Sequence, residues 1–293
     1  MKRGIGMGII LSADRTCDLN EDIIKQYDVH TKPYHILVDD VEHIDGVDIT
    51  PEEIYQVYYN KKVLPKTSAV NVGEYIDYFS AFVEAGHQVV HFNLGSKLSS
   101  SHQNAVLAAA AMDNVYVIDG CNLSSGVGLQ VMDAGEMIRE GKTAEEIKAY
   151  FDENHQCYHA SFVVDTLEFL KAGGRCSALA AFSAGLLNIH PCIEVDNTCG
   201  GMGVGKKYRG SFEKVMAKYI KETLAKYNDI RTDRVFLTDS GGLDDEFRDQ
   251  MEKVILETIP FEKVYRSTAS CTISSHCGPK TMGILFATEK PSK

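Results

Sequence analysis

Apolar and polar positions alternate in blocks along the first half of the chain, residues 1–157. Short apolar runs bounded by polar turns are typical of buried strands, whereas apolar positions three or four apart are typical of helices that cover a sheet. Strands are predicted at residues 8–11, 34–38, 87–93 and 115–119. Helices are predicted to begin near residues 20, 50, 71, 99, 124 and 143. Strands that alternate with helices need crossover connections, so this half is predicted to be an α/β/α domain with a mostly parallel sheet.

The second half of the chain, residues 158–293, has a different pattern. A strand is predicted at residues 161–164, followed by helical stretches that reach Leu187. Two strand-like runs flank the turn-forming segment Asp196–Gly201, which predicts a β-hairpin. Further elements are predicted at 211–227 (helix), 234–238 (strand), 243–258 (helix), 261–266 (strand) and 282–286 (strand). A hairpin among helices predicts a mixed sheet, so the fold class is α/β with two domains, 1–157 and 158–293.

Composition and charge exclude several classes of protein. Hydrophobic residues make up 44% and charged residues 24% of the chain, which is a globular balance. The formal net charge of −11 argues against a general nucleic-acid binder, and no apolar run is long enough to span a membrane. The N-terminus has no secretion signal, so we expect a cytoplasmic protein whose eight cysteines are reduced thiols.

Common nucleotide, metal and hydrolase motifs are absent. Gly141-Lys142-Thr143 resembles the end of a phosphate-binding loop but lacks the earlier glycine, and the glycines of residues 200–205 do not fit a dinucleotide fingerprint. The sequence contains neither a nucleophile elbow nor a zinc-binding H-E-x-x-H. We therefore predict no catalytic nucleotide site, no metal and no cofactor.

Four polar segments lie at the ends of predicted elements, where ligand crevices form in α/β sheets: Asp14–Leu19, Pro65–Ala69, Gly95–Gln103 and Cys271–Pro279. Taken singly, the first two are more typical of turns and helix caps. In the third, Ser99 is predicted to cap a helix, whereas Ser96 precedes the helix and is available to a ligand. His276 is predicted to lie in a loop and is a candidate ligand-binding residue.

Two basic segments follow in the second half. Arg175 comes directly after a glycine pair, and Arg209 ends the densest positive run of the chain. Arginine suits the recognition of carboxylates, phosphates and partner proteins, although a run such as the second is also typical of a solvated surface. Residues 1–156 carry a net charge of −12 and residues 157–293 carry +1, so a partner that docks on the second half is expected to be acidic.

Six blocks resemble the DegV family of bacterial lipid-binding proteins, and they occur along the chain in the family's order. The most specific is residues 165–175, which continues through 185–191. The others are residues 14–19, 45–50, 67–68 and 96–103, and His276 with Gly278-Pro279. The resemblance implies two α/β domains with a long-chain fatty acid between them and a protein that is not itself an enzyme.

The resemblance also implies roles for single residues. A threonine, a serine and a histidine hold the fatty-acid carboxylate, and by motif position these are Thr67, Ser96 and His276. Ser68 and Lys97 are candidates for further contacts with the head group or the pocket. Some family members present the carboxylate to the catalytic subunit of a fatty acid kinase, which makes acyl phosphate. The arginines that would dock that partner are Arg175 and Arg209.

Elementary energetics agree with a lipid carrier. Burial of roughly fifteen methylenes at about 0.8 kcal/mol each gives on the order of 12 kcal/mol before ordering costs, so the tail would supply the affinity. A buried carboxylate without donors would cost several kcal/mol, so hydroxyls and an imidazole must meet it. Two alternatives stay open. One is an enzyme that uses His276 as general base or nucleophile on a small substrate, and the other is a lipid-responsive interaction protein.

Overall fold

The structure is a computed structural model that describes residues 8–176 and 189–291. Residues 177–187 of the predicted helical stretches, residues 185–188 of the DegV-like block, and residues 1–7 and 292–293 lie outside the described residues. Within them, the α/β class with one parallel and one mixed sheet is confirmed. The division into domains 1–157 and 158–293 stays a prediction.

Seven strands and six α-helices form the first half as far as it is described. The strands are β1 Ile9–Asp14, β2 His30–Lys32, β3 His35–Val38, β4 Val41–Ile44, β5 Lys66–Ser68, β6 Gln88–Asn93 and β7 Val115–Asp119. The helices are α1 Glu21–Tyr27, α2 Pro51–Lys61, α3 Val72–Val83, α4 Ser101–Ala109, α5 Ser125–Arg139 and α6 Ala144–Asn154. Strands β2-β1-β6-β7, in this order, form an all-parallel sheet, as the alternation of strands and helices predicts.

The second half is built on a six-stranded mixed sheet. Its strands are β8 Tyr158–Val163, β9 Ile189–Asp196, β10 Gly201–Arg209, β11 Val235–Asp239, β12 Val264–Thr268 and β13 Met282–Ala287, and their order is β10-β9-β8-β13-β11-β12. Its described helices are α7 Glu168–Gly173, α8 Phe212–Leu224, α9 Asp245–Thr258 and α10 Cys271–Cys277. The predicted hairpin is confirmed as the antiparallel pair β9 and β10.

A third, antiparallel sheet of order β4-β3-β5 was not predicted. Strand β3 lies within the strand predicted at residues 34–38, whereas β4 and β5 are only four and three residues long and partly exposed, so their sequences carry little strand signal. Together with α2 it packs against the second half, where Tyr55 and Tyr58 of α2 make edge contacts with Phe169 of α7. This small sheet therefore brings β5, the strand that contains Thr67, next to the second half of the chain.

Helix starts follow local signals in some places and distant contacts in others. The predicted capping boxes Thr50/Glu53 and Thr143/Glu146 are both present. The prediction that His276 lies in a loop is wrong, because residues 271–277 form α10. The Asp45 carboxylate stabilises this helix by accepting hydrogen bonds from the amides of its first two residues, at 2.8 and 2.9 Å.

Helix α5 connects the two large sheets. It is buried from Ser125 to Gly135, and it packs against β1 on one side and β8 and β13 on the other. Across the same boundary, Asp133 of α5 forms a salt bridge with Arg231 at 2.6 Å. In residues 8–176 and 189–291, no helix has the length and apolar character needed to cross a bilayer.

Candidate functional site

A cavity lies between the parallel sheet and the mixed sheet, with walls from both halves of the chain. The volume of the cavity is about 200 Å³, whereas a site for a single water molecule needs only about 10–15 Å³. Much of its wall is apolar, with contributions from Leu94, Leu98, Leu123, Phe162, Leu170, Met202, Ile273 and Leu285. A space of this size and lining is suited to an extended apolar ligand.

Several hydroxyl-bearing residues also line the cavity, but their oxygens are bonded within the protein. Ser161 Oγ lies 2.9 Å from Tyr219 Oη, and Thr238 Oγ1 lies 2.8 Å from Ser125 Oγ. A hydroxyl that is already paired makes little demand on a ligand. These walls can therefore accept hydrocarbon without leaving polar groups unsatisfied.

Thr67 and His276 form the best-defined polar group in the cavity wall. Thr67 Oγ1 of β5 and His276 Nε2 of α10 are 2.8 Å apart, although the residues are separated by 209 positions in the sequence. Both residues line the cavity and both are partly buried. The structure thus brings together two of the three residues predicted to bind a carboxylate.

The surroundings of the second ring nitrogen of His276, Nδ1, indicate which tautomer the ring adopts. Nδ1 is buried and has no hydrogen-bond partner among the described residues. It faces Gly173 of α7, where an added Cβ would lie only 2.3 Å away. Burial, and then the nearby positive charge of Arg175, lowers the pKa of His276 to about 4, so the ring is neutral near pH 7. This favours the tautomer with the proton on Nε2, in which Nε2 donates to Thr67 and leaves the Thr67 hydroxyl hydrogen available to a ligand.

Each residue of the segment Gly173-Gly174-Arg175 has its own structural role. Gly173 leaves room for the imidazole, and Gly174 ends α7 in the left-handed region with φ +66°. Arg175 then turns back, and its Nη1 donates to the Gly173 carbonyl at 2.7 Å. Although exposed at the surface, Arg175 also lines the cavity. This residue, predicted to dock a partner, thus stands beside His276 at the polar part of the wall.

The structure places Ser96, the serine predicted to bind the carboxylate, outside the cavity. Ser96 is exposed, it does not line the cavity, and its amide donates to Asp119 Oδ1 at 3.0 Å. Ser99 and Ser100 line the cavity instead. Helix α4 begins at Ser101, and Ser99 Oγ accepts a hydrogen bond from the Ser101 amide in the turn before the helix.

The other predicted site residues lie outside the cavity. Ser68 points to the opposite side of β5 from Thr67, and Ser68 and Lys97 are both exposed. Neither residue lines the cavity, and Arg209, at the exposed end of β10, does not line it either. The docking role of Arg209 stays a prediction.

The Asp14–Leu19 segment supports the site without lining it. Asp14 is fully buried and accepts hydrogen bonds from the hydroxyls of Tyr34 and Tyr75, at 3.0 and 2.7 Å. Asp18 joins the two halves, because its carboxylate accepts from Ser124 Oγ at 2.5 Å and from the Ser270 amide, at the start of α10, at 2.9 Å. Both residues thus hold the walls in place.

Asp18 has an unusual acidity for an aspartate. Burial raises its pKa to about 7, although the hydrogen bonds from Ser124 and Ser270 partly oppose that rise.

In the described part of the chain, no group of three or more histidine, cysteine or acidic side chains is arranged to hold a metal ion.

Comparison with known proteins identifies the family. A family model described as an uncharacterised protein of the DegV family matches residues 9–289. A DegV domain-containing protein of Caldanaerobacter subterraneus is 30% identical over 282 residues, which is 95% of this chain and 98% of that protein. The chain therefore belongs to the DegV family, as its sequence blocks predict.

Solved structures of the family have the same fold. A DegV family protein from Thermus thermophilus, described as binding a fatty acid, has a TM-score of 0.87 and 28% identity, covering 96% of this chain and all of that one (100%). A stearic-acid-binding protein from Eubacterium ventriosum has a TM-score of 0.80 and 27% identity, covering 97% of this chain and 98% of that one. These structural neighbours are thus proteins described as binding fatty acids.

Proposed function

We propose that the chain binds one long-chain fatty acid in the cavity between the sheets, with its carboxylate at Thr67 and His276. The observation that carries the proposal is the apolar cavity into which a neutral His276–Thr67 pair presents a hydroxyl donor. The fatty acids bound by the Thermus and Eubacterium proteins support it, because both relatives share the fold over at least 96% of this chain.

The head group would meet three kinds of polar group. The Thr67 hydroxyl donates to one carboxylate oxygen, and Ser99 or Ser100, which also line the cavity, supplies a second hydroxyl. Arg175 contributes positive charge at the same wall without being buried itself. Hydrogen bonds to a charged group contribute roughly 1.5–3 kcal/mol each, so these groups offset the cost of desolvating the carboxylate.

In the full proposal, the chain presents the carboxylate to the catalytic subunit of a kinase. That subunit would bring ATP, and the carboxylate oxygen would attack the γ-phosphorus to give acyl phosphate and ADP. The chain has no phosphate-binding loop of its own, and Arg175 and Arg209 are exposed on the half expected to face the partner. Under this division of labour the chain is a substrate carrier and not an enzyme.

Calorimetry with two matched ligands tests lipid binding. Delipidated protein is titrated with palmitate and with methyl palmitate, which has the same tail and no ionised carboxylate. We expect both to bind, and palmitate to bind at least tenfold more tightly in wild type but not in the His276→Phe variant. Failure of a folded, delipidated protein to bind palmitate at micromolar concentration would contradict the proposal.

The kinase step has its own test. The isolated chain is expected to bind no ATP at micromolar concentration and to form acyl phosphate only when the catalytic subunit of a bacterial fatty acid kinase is added. Micromolar ATP binding by the chain alone would instead support an autonomous enzyme.

One observation favours the alternative of an enzyme. A threonine hydroxyl 2.8 Å from an imidazole nitrogen is the geometry of a nucleophile and its general base. However, no described residue supplies Nδ1 of His276 with the third group that orients the base in such arrangements. Hydrolysis of a p-nitrophenyl acyl ester that is lost in both Thr67→Ala and His276→Phe would favour this hypothesis over the carrier.

A further inference from the structure

Two of the eight cysteines stand apart from the rest. Six are buried, whereas Cys121 and Cys199 are partly exposed. They come from different halves of the chain, since Cys121 follows β7 and Cys199 lies in the turn between β9 and β10. The proposed lipid site uses neither side chain.

The turn that contains Cys199 lies directly on the loop that contains Cys121. A Cβ added to Gly200, the residue after Cys199, would lie 3.2 Å from the Cα of Cys121. Neighbouring Cα atoms are 3.8 Å apart, so the Cα of Cys199 lies at most about 9 Å from that of Cys121, and a shift of the turn would bring the pair to the usual 4.4–6.8 Å of a disulfide. The Cys199 sulfur is also close enough to act on Cys121 electrostatically. Burial, Asp119 and then Cys199 raise the pKa of Cys121 to about 12.

We propose that Cys121 and Cys199 form a disulfide when a peroxide oxidises the protein. The Cys199 thiolate takes one oxygen from hydrogen peroxide to give a sulfenic acid, and hydroxide leaves. The Cys121 thiolate then attacks that sulfur, the S–S bond forms, and a second hydroxide leaves. The two sulfurs lose two electrons in total, and the thiol protons convert the two hydroxides to water.

The bond would join two segments of the cavity wall. Cys121 is followed by Leu123 and Ser124, and Cys199 is followed by Met202, and all three of these residues line the cavity. A covalent link between the β9–β10 turn and the loop after β7 therefore limits how far the two walls can separate. As a consequence that rests on the proposed function, oxidation would slow exchange of the fatty acid.

Peptide mapping tests the disulfide without reference to lipid. The full chain is treated with hydrogen peroxide, blocked with iodoacetamide, digested with trypsin and analysed by mass spectrometry without reduction. The link is expected in wild type and in Cys192→Ala, a control within the same tryptic peptide as Cys199, but not in Cys121→Ser or Cys199→Ser. It should form faster as pH rises from 7 to 9, because more Cys121 is then thiolate.

Two results would overturn the disulfide: alkylation of both cysteines after peroxide treatment, or a link that persists in Cys199→Ser. Release of a fluorescent fatty acid tests the consequence, and we expect at least tenfold slower release after oxidation, reversed by dithiothreitol and absent in Cys199→Ser. Unchanged release from a cross-linked protein would overturn the exchange effect alone. A protein that cross-links but binds no fatty acid would contradict the proposed function and leave the disulfide established.

Discussion

Nδ1 of His276 faces Gly173 so closely that a Cβ at Gly173 would lie 2.3 Å from it. Among the described residues Nδ1 has no hydrogen-bond partner, which favours the neutral ring with its proton on Nε2. That proton goes to Thr67, whose own hydroxyl hydrogen is then available to a ligand. The lack of a side chain at Gly173 of α7 therefore determines how Thr67 of β5 and His276 of α10 can bind a carboxylate.

Gly173→Ala is expected to displace the His276 ring. An added methyl would overlap Nδ1, so the ring or α7 must move, and we expect the variant to lose about 1–3 kcal/mol of unfolding free energy. Its His276 ring nitrogens should also change their NMR chemical shifts. Gly174→Ala is the matched control, because it strains a backbone at φ +66° but meets no described atom within 4 Å. Unchanged His276 shifts in a folded Gly173→Ala protein would contradict the tautomer argument.

Removal of a head-group hydroxyl is expected to separate binding from presentation. Thr67→Ala and Ser99→Ala should each keep bound lipid, because the tail contributes on the order of 12 kcal/mol gross and one hydrogen bond roughly 0.5–3 kcal/mol. Acyl phosphate formation with the kinase subunit should fall at least tenfold, as measured by ADP release. Ser96→Ala is the control and should match wild type, because Ser96 lies outside the cavity. A large loss of activity in Ser96→Ala alone would reverse our assignment of the serine.

The raised pKa of Asp18 predicts a specific dependence of stability on pH. The folded protein holds the Asp18 proton up to about pH 7, whereas the ordinary pKa is 3.8, so this group's contribution to stability is lost as pH rises from about 4 to about 7. Asp18→Asn cannot ionise, and its amide can still pair with Ser124 and Ser270. The variant's unfolding free energy, relative to wild type, should therefore increase by up to about 1.4 kcal/mol per pH unit across that window. Denaturant unfolding at pH 5 and pH 8 measures this difference, and a difference that does not change with pH would contradict the prediction.

Arg209 is expected to contribute to partner docking through charge alone. Arg209→Ala should weaken binding of the kinase subunit about two- to fivefold at low salt and lessen its salt dependence, while lipid content and stability stay near wild type. Lys253→Ala, which removes an exposed positive charge from α9, is the matched control. Equal affinities and equal salt slopes for Arg209→Ala and wild type would remove Arg209 from the docking surface.

The sequence predicts the main sheets because their strands carry strong local signals. Strands β6 and β7 are apolar runs between helices with recognisable starts, so the parallel sheet follows from pattern alone. Helix α10 has no comparable signal. It is seven residues long, and the Asp45 carboxylate that holds its first turn comes from 226 positions earlier.

The sequence predicts the site less completely than the sheets, because contacts between distant residues decide its details. Thr67 and His276 were identified by motif, but the choice between Ser96 and Ser99 depends on the path of one turn before α4. Both serines belong to the same block, and a hydroxyl in such a turn is equally suited to cap a helix or to contact a ligand. The role of Gly173 could not be predicted, because it depends on a contact with a ring 103 positions away.

Mass spectrometry of lipid extracted from the purified, folded chain tests the central claim most directly. Our account predicts close to one long-chain fatty acid per protein molecule, displaced by added palmitate and retained in Thr67→Ala. A folded wild-type protein that carries no fatty acid and takes up none from excess palmitate would contradict the account.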